Sequence, residues 1–179
     1  MKKSEIARVL LMMGSLAFGF GAMAGEKVSK KAVEPDVTLI NQNAFKGQKP
    51  FTLKNYKDKV IVLEFWASWC PPCRESIPRL SATQEKYKGD AVFVGVSVEP
   101  KKETKKFYNS MKDNMKYRVA VDLKGTAHKN YMDAFGVSGI PHAFIIKDDN
   151  IIWHGHPMGS DMEETLEKAI ADDDKKKSE

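Results

Sequence analysis

The run Val60-Ile61-Val62-Leu63-Glu64-Phe65-Trp66 passes through a short link into Trp69-Cys70-Pro71-Pro72-Cys73, and no other stretch of the 179-residue chain restricts the fold as strongly. The run is apolar except for Glu64 and rich in β-branched and aromatic residues, which reads as a strand. Proline is well tolerated in the first turn of a helix, where its missing N–H has no partner to lose. A helix is therefore expected to begin at Cys70 and to reach about Tyr87, with Pro78 kinking it. Gly89-Asp90 then turns the chain into Ala91–Val98, a continuous apolar run typical of a strand buried in a parallel sheet.

The remaining elements follow from periodicity and turn chemistry. Val37–Ile40 and Phe51–Leu53 are short strand candidates around a turn rich in Asn, Gln and Gly. Lys101 to about Asn114 reads as helix, Arg118–Val121 as strand, and Thr126–Phe135 as a helix capped by Gly136. Ala143–Ile146 and Ile151–His154 flank Asp148-Asp149-Asn150, a hairpin signal, and Asp161 to about Ala171 forms the last helix. Strands separated by helices pair in parallel, and the late hairpin adds an antiparallel edge. The expected architecture is α/β: a central mixed sheet with helices on both faces, over residues 34–171. Residues 25–33 are expected to be a flexible lead-in, and 172–179, charged and without apolar residues, a disordered tail.

Cys70 and Cys73 are the only two cysteines in the chain. A disulfide closing so short a ring adds only about 2 kcal/mol by chain entropy, against about 4.7 for a hundred-residue loop. Such a pair is better suited to opening and closing in use than to holding a fold. At a strand-to-helix junction the Cys70 sulfur faces unpaired first-turn N–H groups and the positive end of the helix dipole, and both favour the thiolate. Pro71 and Pro72 remove two of those donors, leaving amides from Cys73 onward, so moderate activation is expected, to a value near ~7. Cys70 is assigned as the attacking thiol, exposed at the helix start, and Cys73 as the resolving thiol, partly covered. A zinc site would need a second ligand pair, and none follows.

Glu64 interrupts an apolar strand, and alternation puts it on one face with Val62 and Trp66. If both faces are covered, burial raises its pKa, and a carboxyl poised near neutrality can take the proton from Cys73. The alternative is a carboxylate paired with Lys57 or Lys59 at a strand edge. Gly139-Ile140-Pro141-His142 precedes a strand, where proline cannot donate to a ladder and a cis bond is plausible. Trp66 is expected in the core, and Trp69 at the rim, where it meets substrate. His154-Gly155-His156-Pro157-Met158 has the imidazole and thioether groups that suit copper, but a strand end followed by a turn, with His154 and His156 on one exposed face, is the favoured reading. Met111, Met115 and Met132 are expected as core contacts.

The segment Phe65–Pro78 resembles the active-site segment of the thioredoxin superfamily and is most similar to the exported TlpA/ResA-like thiol–disulfide oxidoreductases. Gly139-Ile140-Pro141 resembles the cis-proline loop of that family, Pro78 its helix-kinking proline, and Glu64 its buried acid. The resemblance implies a thioredoxin-like fold and a monomeric enzyme without a cofactor. It also implies a substrate site that includes Trp69, Pro72, Ile140 and Pro141, and electrons supplied by a membrane thiol donor. Two departures stand out. Pro71 lies where ResA-like proteins carry an acidic residue, and Glu64 replaces the more usual Asp.

Residues 1–24 carry Lys2, Lys3 and Arg8, an apolar stretch from Val9, and Ala22-Met23-Ala24, the pattern of an export signal cleaved near Ala24. The apolar stretch is shorter than a bilayer span, which weighs against a permanent anchor. The remaining 155 residues would carry a net charge of +3, too weak and scattered for nucleic-acid binding. A periplasmic or otherwise extracytoplasmic location is expected, where thiols tend to be oxidised. The expected partners are exported proteins bearing disulfides or dithiols. Two other functions compete: a Sco-like copper-binding assembly factor using Cys70, Cys73 and His142, and a thiol peroxidase.

Overall fold

The structure is a computed structural model that describes residues 25–178, apart from the side chains of residues 173, 174 and 176–178. The expected export signal over residues 1–24 lies outside the described residues. In chain order the elements are β1 (Glu26–Lys31), β2 (Thr38–Leu39), β3 (Val60–Trp66), α1 (Pro71–Lys86), β4 (Ala91–Ser97), α2 (Lys101–Met111), β5 (Arg118–Val121), α3 (Thr126–Tyr131), β6 (His142–Lys147), β7 (Asn150–Gly155) and α4 (Ser160–Ser178). Short 3-10 segments lie at Gln42–Phe45, Leu53–Tyr56 and Asp133–Phe135.

The seven strands form one mixed sheet in the order β1-β7-β6-β3-β4-β5-β2. β3, β4 and β5 run parallel, while β6, β7, β1 and β2 pair antiparallel to their neighbours. β3 is thus internal, and every residue in it is buried. Its period of two sorts the side chains. Val60, Val62 and Trp66 pack with Ile77 and Leu80 of α1 and Met162 and Leu166 of α4. Ile61, Leu63 and Phe65 pack on the other face with Tyr131 and Met132. Glu64 therefore falls on the α1 face. The β6–β7 turn places Asp148 and Asp149 at φ of 50° and 60°, the left-handed region that short hairpin turns use and Asp tolerates.

Four expectations are corrected here. Residues 25–33 are not a flexible lead-in: β1 pairs with β7, Gly25 N donates to Asp161 Oδ2 at 2.7 Å, and a Cβ at Gly25 would fall inside the Trp153 ring. The sheet edge at β7 needs a partner, and β1, exposed along its length except at the half-buried Val28, supplies one as a polar edge strand. Phe51–Leu53 is not a strand. Thr52 Oγ1 accepts from Asn55 N at 3.2 Å and caps the 3-10 turn Leu53–Tyr56, whose Leu53 and Tyr56 are buried. Val37–Ile40 shrinks to the two residues of β2. Asn41 reinforces that contact, donating to Tyr117 O and accepting from Val119 N, both at 2.9 Å. Finally, the charged run from residue 172 continues α4 to Ser178 rather than forming a disordered tail. Helix propagation from turns already packed on the sheet needs only one residue ordered per added bond.

Candidate active site

Cys70 and Cys73 form a disulfide with Cα atoms 5.3 Å apart. Cys70 is the N-cap of α1 with extended backbone, and Pro71 and Pro72 fill the first helical positions. The first amide that can reach the sulfur is that of Cys73, which donates to Cys70 Sγ at 3.3 Å. Cys70 is not the exposed residue expected at a helix start. It is 4% exposed and Cys73 fully buried, because the turn before β6 closes over the pair. Cys70 Sγ lies 3.7 Å from the carbonyl oxygen of Ile140, and the Ile140–Pro141 bond is cis. Trp69 stands clear of this cover at 68% exposed. It borders a groove of about 370 Å³ shared with Phe107 and Lys106 of α2.

The loop that presents Trp69 is held by Glu99, a residue with no distinguishing mark in the sequence. Its carboxylate accepts from Ser68 N at 2.5 Å and from Ser68 Oγ at 2.7 Å. This two-point clamp across 31 residues fixes the backbone immediately before Cys70.

Beneath the disulfide, Glu64 is 2% exposed, and burial pushes its carboxyl up to about 8. It is not a strand-edge ion pair. Lys57 binds Asp149 at 2.8 Å, and Lys59 donates to the Gly89 carbonyl. Two hydroxyls approach Glu64 instead and partly offset the burial. Ser76 Oγ is 3.0 Å from Oε1, and Tyr117 Oη is 3.5 Å from Oε2. Ser76 Oγ also lies 2.8 Å from the Cys73 carbonyl oxygen. A hydroxyl has one hydrogen to give. With Glu64 protonated, the carboxyl donates to Ser76 and Ser76 donates to the Cys73 carbonyl, so one chain of bonds links the buried acid to the backbone of the inner cysteine. Gly95 lies opposite Glu64 in β4, and a Cβ there would sit 2.9 Å from the Tyr117 ring. The lack of a side chain at Gly95 is what admits Tyr117 to the carboxyl.

The histidines gather on the other face. His142 Nε2 and His154 Nδ1 are 3.0 Å apart, stacked among Phe135 and Phe144. Burial, then the neighbouring His154 and His156, pull His142 down to about 4. His154 is 8% exposed, so the expected exposed face of His154 and His156 is not found; β1 and Phe135 cover His154. Among the described residues no group of three or more His, Cys, Asp or Glu is placed to hold a metal ion. Met115 and Met132 are buried core residues, although Met115 lies beyond the end of α2 and Met132 beyond that of α3, Met111 at the end of α2 is half-buried against the core, and Trp66 is buried against Phe107.

A cysteine pair bridged at a strand-to-helix junction, the Ile140 carbonyl over it and a buried carboxyl beneath define a thiol–disulfide oxidoreductase of thioredoxin-like architecture. Residues 28–154 match the AhpC/TSA family, and the chain belongs to it. The chain is 29% identical to the thiol-disulfide oxidoreductase ResA of Bacillus cereus over 176 residues, covering 94% of this chain and 98% of that protein. It is 26% identical to the thioredoxin-like protein YneN of Bacillus subtilis over 179 residues, covering 95% and 98% respectively. Among solved structures, a thioredoxin-family thiol:disulfide interchange protein of Chlorobium tepidum superimposes with a TM-score of 0.61 at 26% identity, covering 81% of this chain and 99% of that one.

Proposed function

We propose that this chain is an exported reductase of disulfides in partner proteins, cycling Cys70-Pro71-Pro72-Cys73 between dithiol and disulfide. The observation that carries the reading is the position of the Cys70–Cys73 bond, between the exposed Trp69 and the Ile140–Pro141 turn and above a buried acid. In the reduced enzyme the Cys70 thiolate attacks one sulfur of a substrate disulfide, forming a mixed disulfide and expelling the other sulfur as a thiolate. Glu64, as carboxylate, accepts the proton of Cys73, with Ser76 and Tyr117 steadying the carboxyl. The Cys73 thiolate attacks Cys70 Sγ, forms the internal disulfide and releases the second substrate thiolate. The substrate gains two electrons and the enzyme loses two. A membrane thiol donor restores the dithiol. Trp69, Pro72, Ile140 and Pro141 form the platform for the substrate backbone.

The extracytoplasmic location rests on the pattern of residues 1–24. Among the described residues no helix is long and apolar enough to cross a membrane. Cys70→Ser should abolish insulin reduction in a dithiothreitol-driven cycle, whereas Cys73→Ser should accumulate a mass adduct on Cys70. Undiminished turnover in the first variant, or no adduct in the second under excess substrate, refutes the assignment of roles.

A further inference from the structure

At the end of the sheet where β3 and β4 begin, opposite the disulfide, lies a cavity of about 610 Å³. A strand of seven residues separates the two regions, about 20 Å at ~3.3 Å per residue. The size is within the range of small-molecule sites. The lining holds Lys49, Lys59, Lys88, Lys112, Lys116 and Arg118 against two acids, Asp58 and Glu85, an excess of four positive charges.

Arg118 is the unusual member. It projects from β5 and is 3% exposed. Its guanidinium lies 4.7 Å from the Phe45 ring centre and 4.9 Å from that of Tyr56. Nη2 donates to Gln48 Oε1 at 2.5 Å and to Tyr56 Oη at 2.7 Å, and Tyr56 in turn donates to Lys49 O at 2.7 Å. Both acceptors of the guanidinium are neutral. Among the described residues no carboxylate lies within 4.0 Å of Arg118, and Nη1 and Nε donate to no protein group. A buried charge ordinarily has a counter-charge, because desolvation is not repaid by neutral contacts. Burial accordingly pulls this guanidinium below its ordinary value.

Lysines near the ends of α1 and α2 complement helix dipoles, which accounts for Lys88 and Lys112 without a ligand. It does not account for a largely buried arginine whose Nη1 and Nε have no protein partner and stay open to the cavity. A single carboxylate would satisfy Arg118 alone, whereas the excess of four charges calls for a multivalent anion. Guanidinium and ammonium groups together match phosphate oxygens. We propose that this cavity binds a small molecule bearing two or more phosphate groups, anchored by Arg118 and held at the rim by Lys112 and Lys116.

The test titrates inorganic pyrophosphate onto the full chain and follows backbone amide shifts together with the thermal unfolding midpoint. Saturable shifts confined to the cavity lining and a rise in midpoint are expected, because a ligand that binds only the folded state stabilises it. Lys112→Ala/Lys116→Ala, a surface change that leaves folding intact, should weaken pyrophosphate about tenfold or more. Arg118→Gln should abolish the binding, but it also removes the ring contacts, so the double lysine variant is the decisive one. The proposal is overturned by the absence of saturable shifts at millimolar pyrophosphate, by equal affinity in the double variant, or by tighter binding of citrate than of pyrophosphate. Insulin reduction by Lys112→Ala/Lys116→Ala should match wild type, so failure of this site and failure of the redox assignment are told apart.

Discussion

Replacing Glu64 by Gln tests the buried acid most directly. The amide has nearly the same shape, keeps Ser76 and Tyr117 as partners, and cannot titrate. In the folded protein the carboxyl is pushed up to about 8, against 4.5 for a free glutamate. The folded state therefore holds this proton more tightly than the unfolded state. Its contribution to stability is complete below pH 4.5 and is lost as pH rises toward 8. Each pH unit in that window costs about 1.4 kcal/mol, so by pH 7 the wild type has given up about 3 kcal/mol through this group. Glu64→Gln should match the wild type near pH 4.5 and exceed it by about 3 kcal/mol at pH 7. Urea unfolding of the two oxidised proteins across pH 4.5–8 measures the difference. His142, pulled down to about 4, acts in the opposite sense, stabilising above its free value near 6.5 and costing stability as pH falls toward 4. That contribution is common to both proteins and cancels in the difference. A gap that stays constant with pH would sink the argument, since Glu64 would then ionise as an ordinary surface carboxylate. The same variant should resolve mixed disulfides more slowly and without a titration near pH 8, even as it gains stability.

Two further substitutions probe the surroundings of that acid. Ser76→Ala removes a contact that holds the Glu64 value down and a bond to the Cys73 carbonyl. It should cost about 1 kcal/mol of stability and move the pH profile of mixed-disulfide resolution upward; stopped-flow quenching at several pH values reads the direction, and a downward move contradicts the role given to Ser76. Gly95→Ala sets a methyl 2.9 Å from Tyr117 and 3.0 Å from Trp66 Nε1, and should destabilise the fold by about 1–3 kcal/mol as measured by thermal unfolding; a neutral effect would mean that Tyr117 is free to withdraw from Glu64.

The grouping of the cysteine pair, Glu64 and the Ile140–Pro141 turn was legible in the sequence because its parts are contiguous or chemically conspicuous. Two cysteines flank two prolines, one charge interrupts an apolar strand, and a Gly-x-Pro precedes another. The supporting residues were not legible. Ser76, Tyr117 and Glu99 are ordinary polar residues whose partners lie 12, 53 and 31 positions away in the chain. Only the parallel register of β3, β4 and β5 and the seating of α1 bring them to the site. The burial of Cys70 was missed for a related reason, since a helix start is exposed in isolation and the cover arrives from residue 140. In the fold, the central strands and helices followed their periodicity. The errors fell at the edges, where β1 has too little apolar character to declare itself without β7 beside it, and where α4 is prolonged by helix already formed.

The bond from Gly25 N to Asp161 Oδ2 bears on the export signal proposed for residues 1–24. Were the leader proposed for residues 1–24 present and cut after Ala24, that nitrogen would change from a neutral amide to an α-ammonium at the same 2.7 Å from a carboxylate that also receives Trp153 Nε1 at 2.9 Å. Charge-assisted contacts of this kind are roughly twice as strong as neutral ones. Cleavage there would then tie the start of β1 more firmly to α4, so that the trimmed polypeptide is the sturdier one.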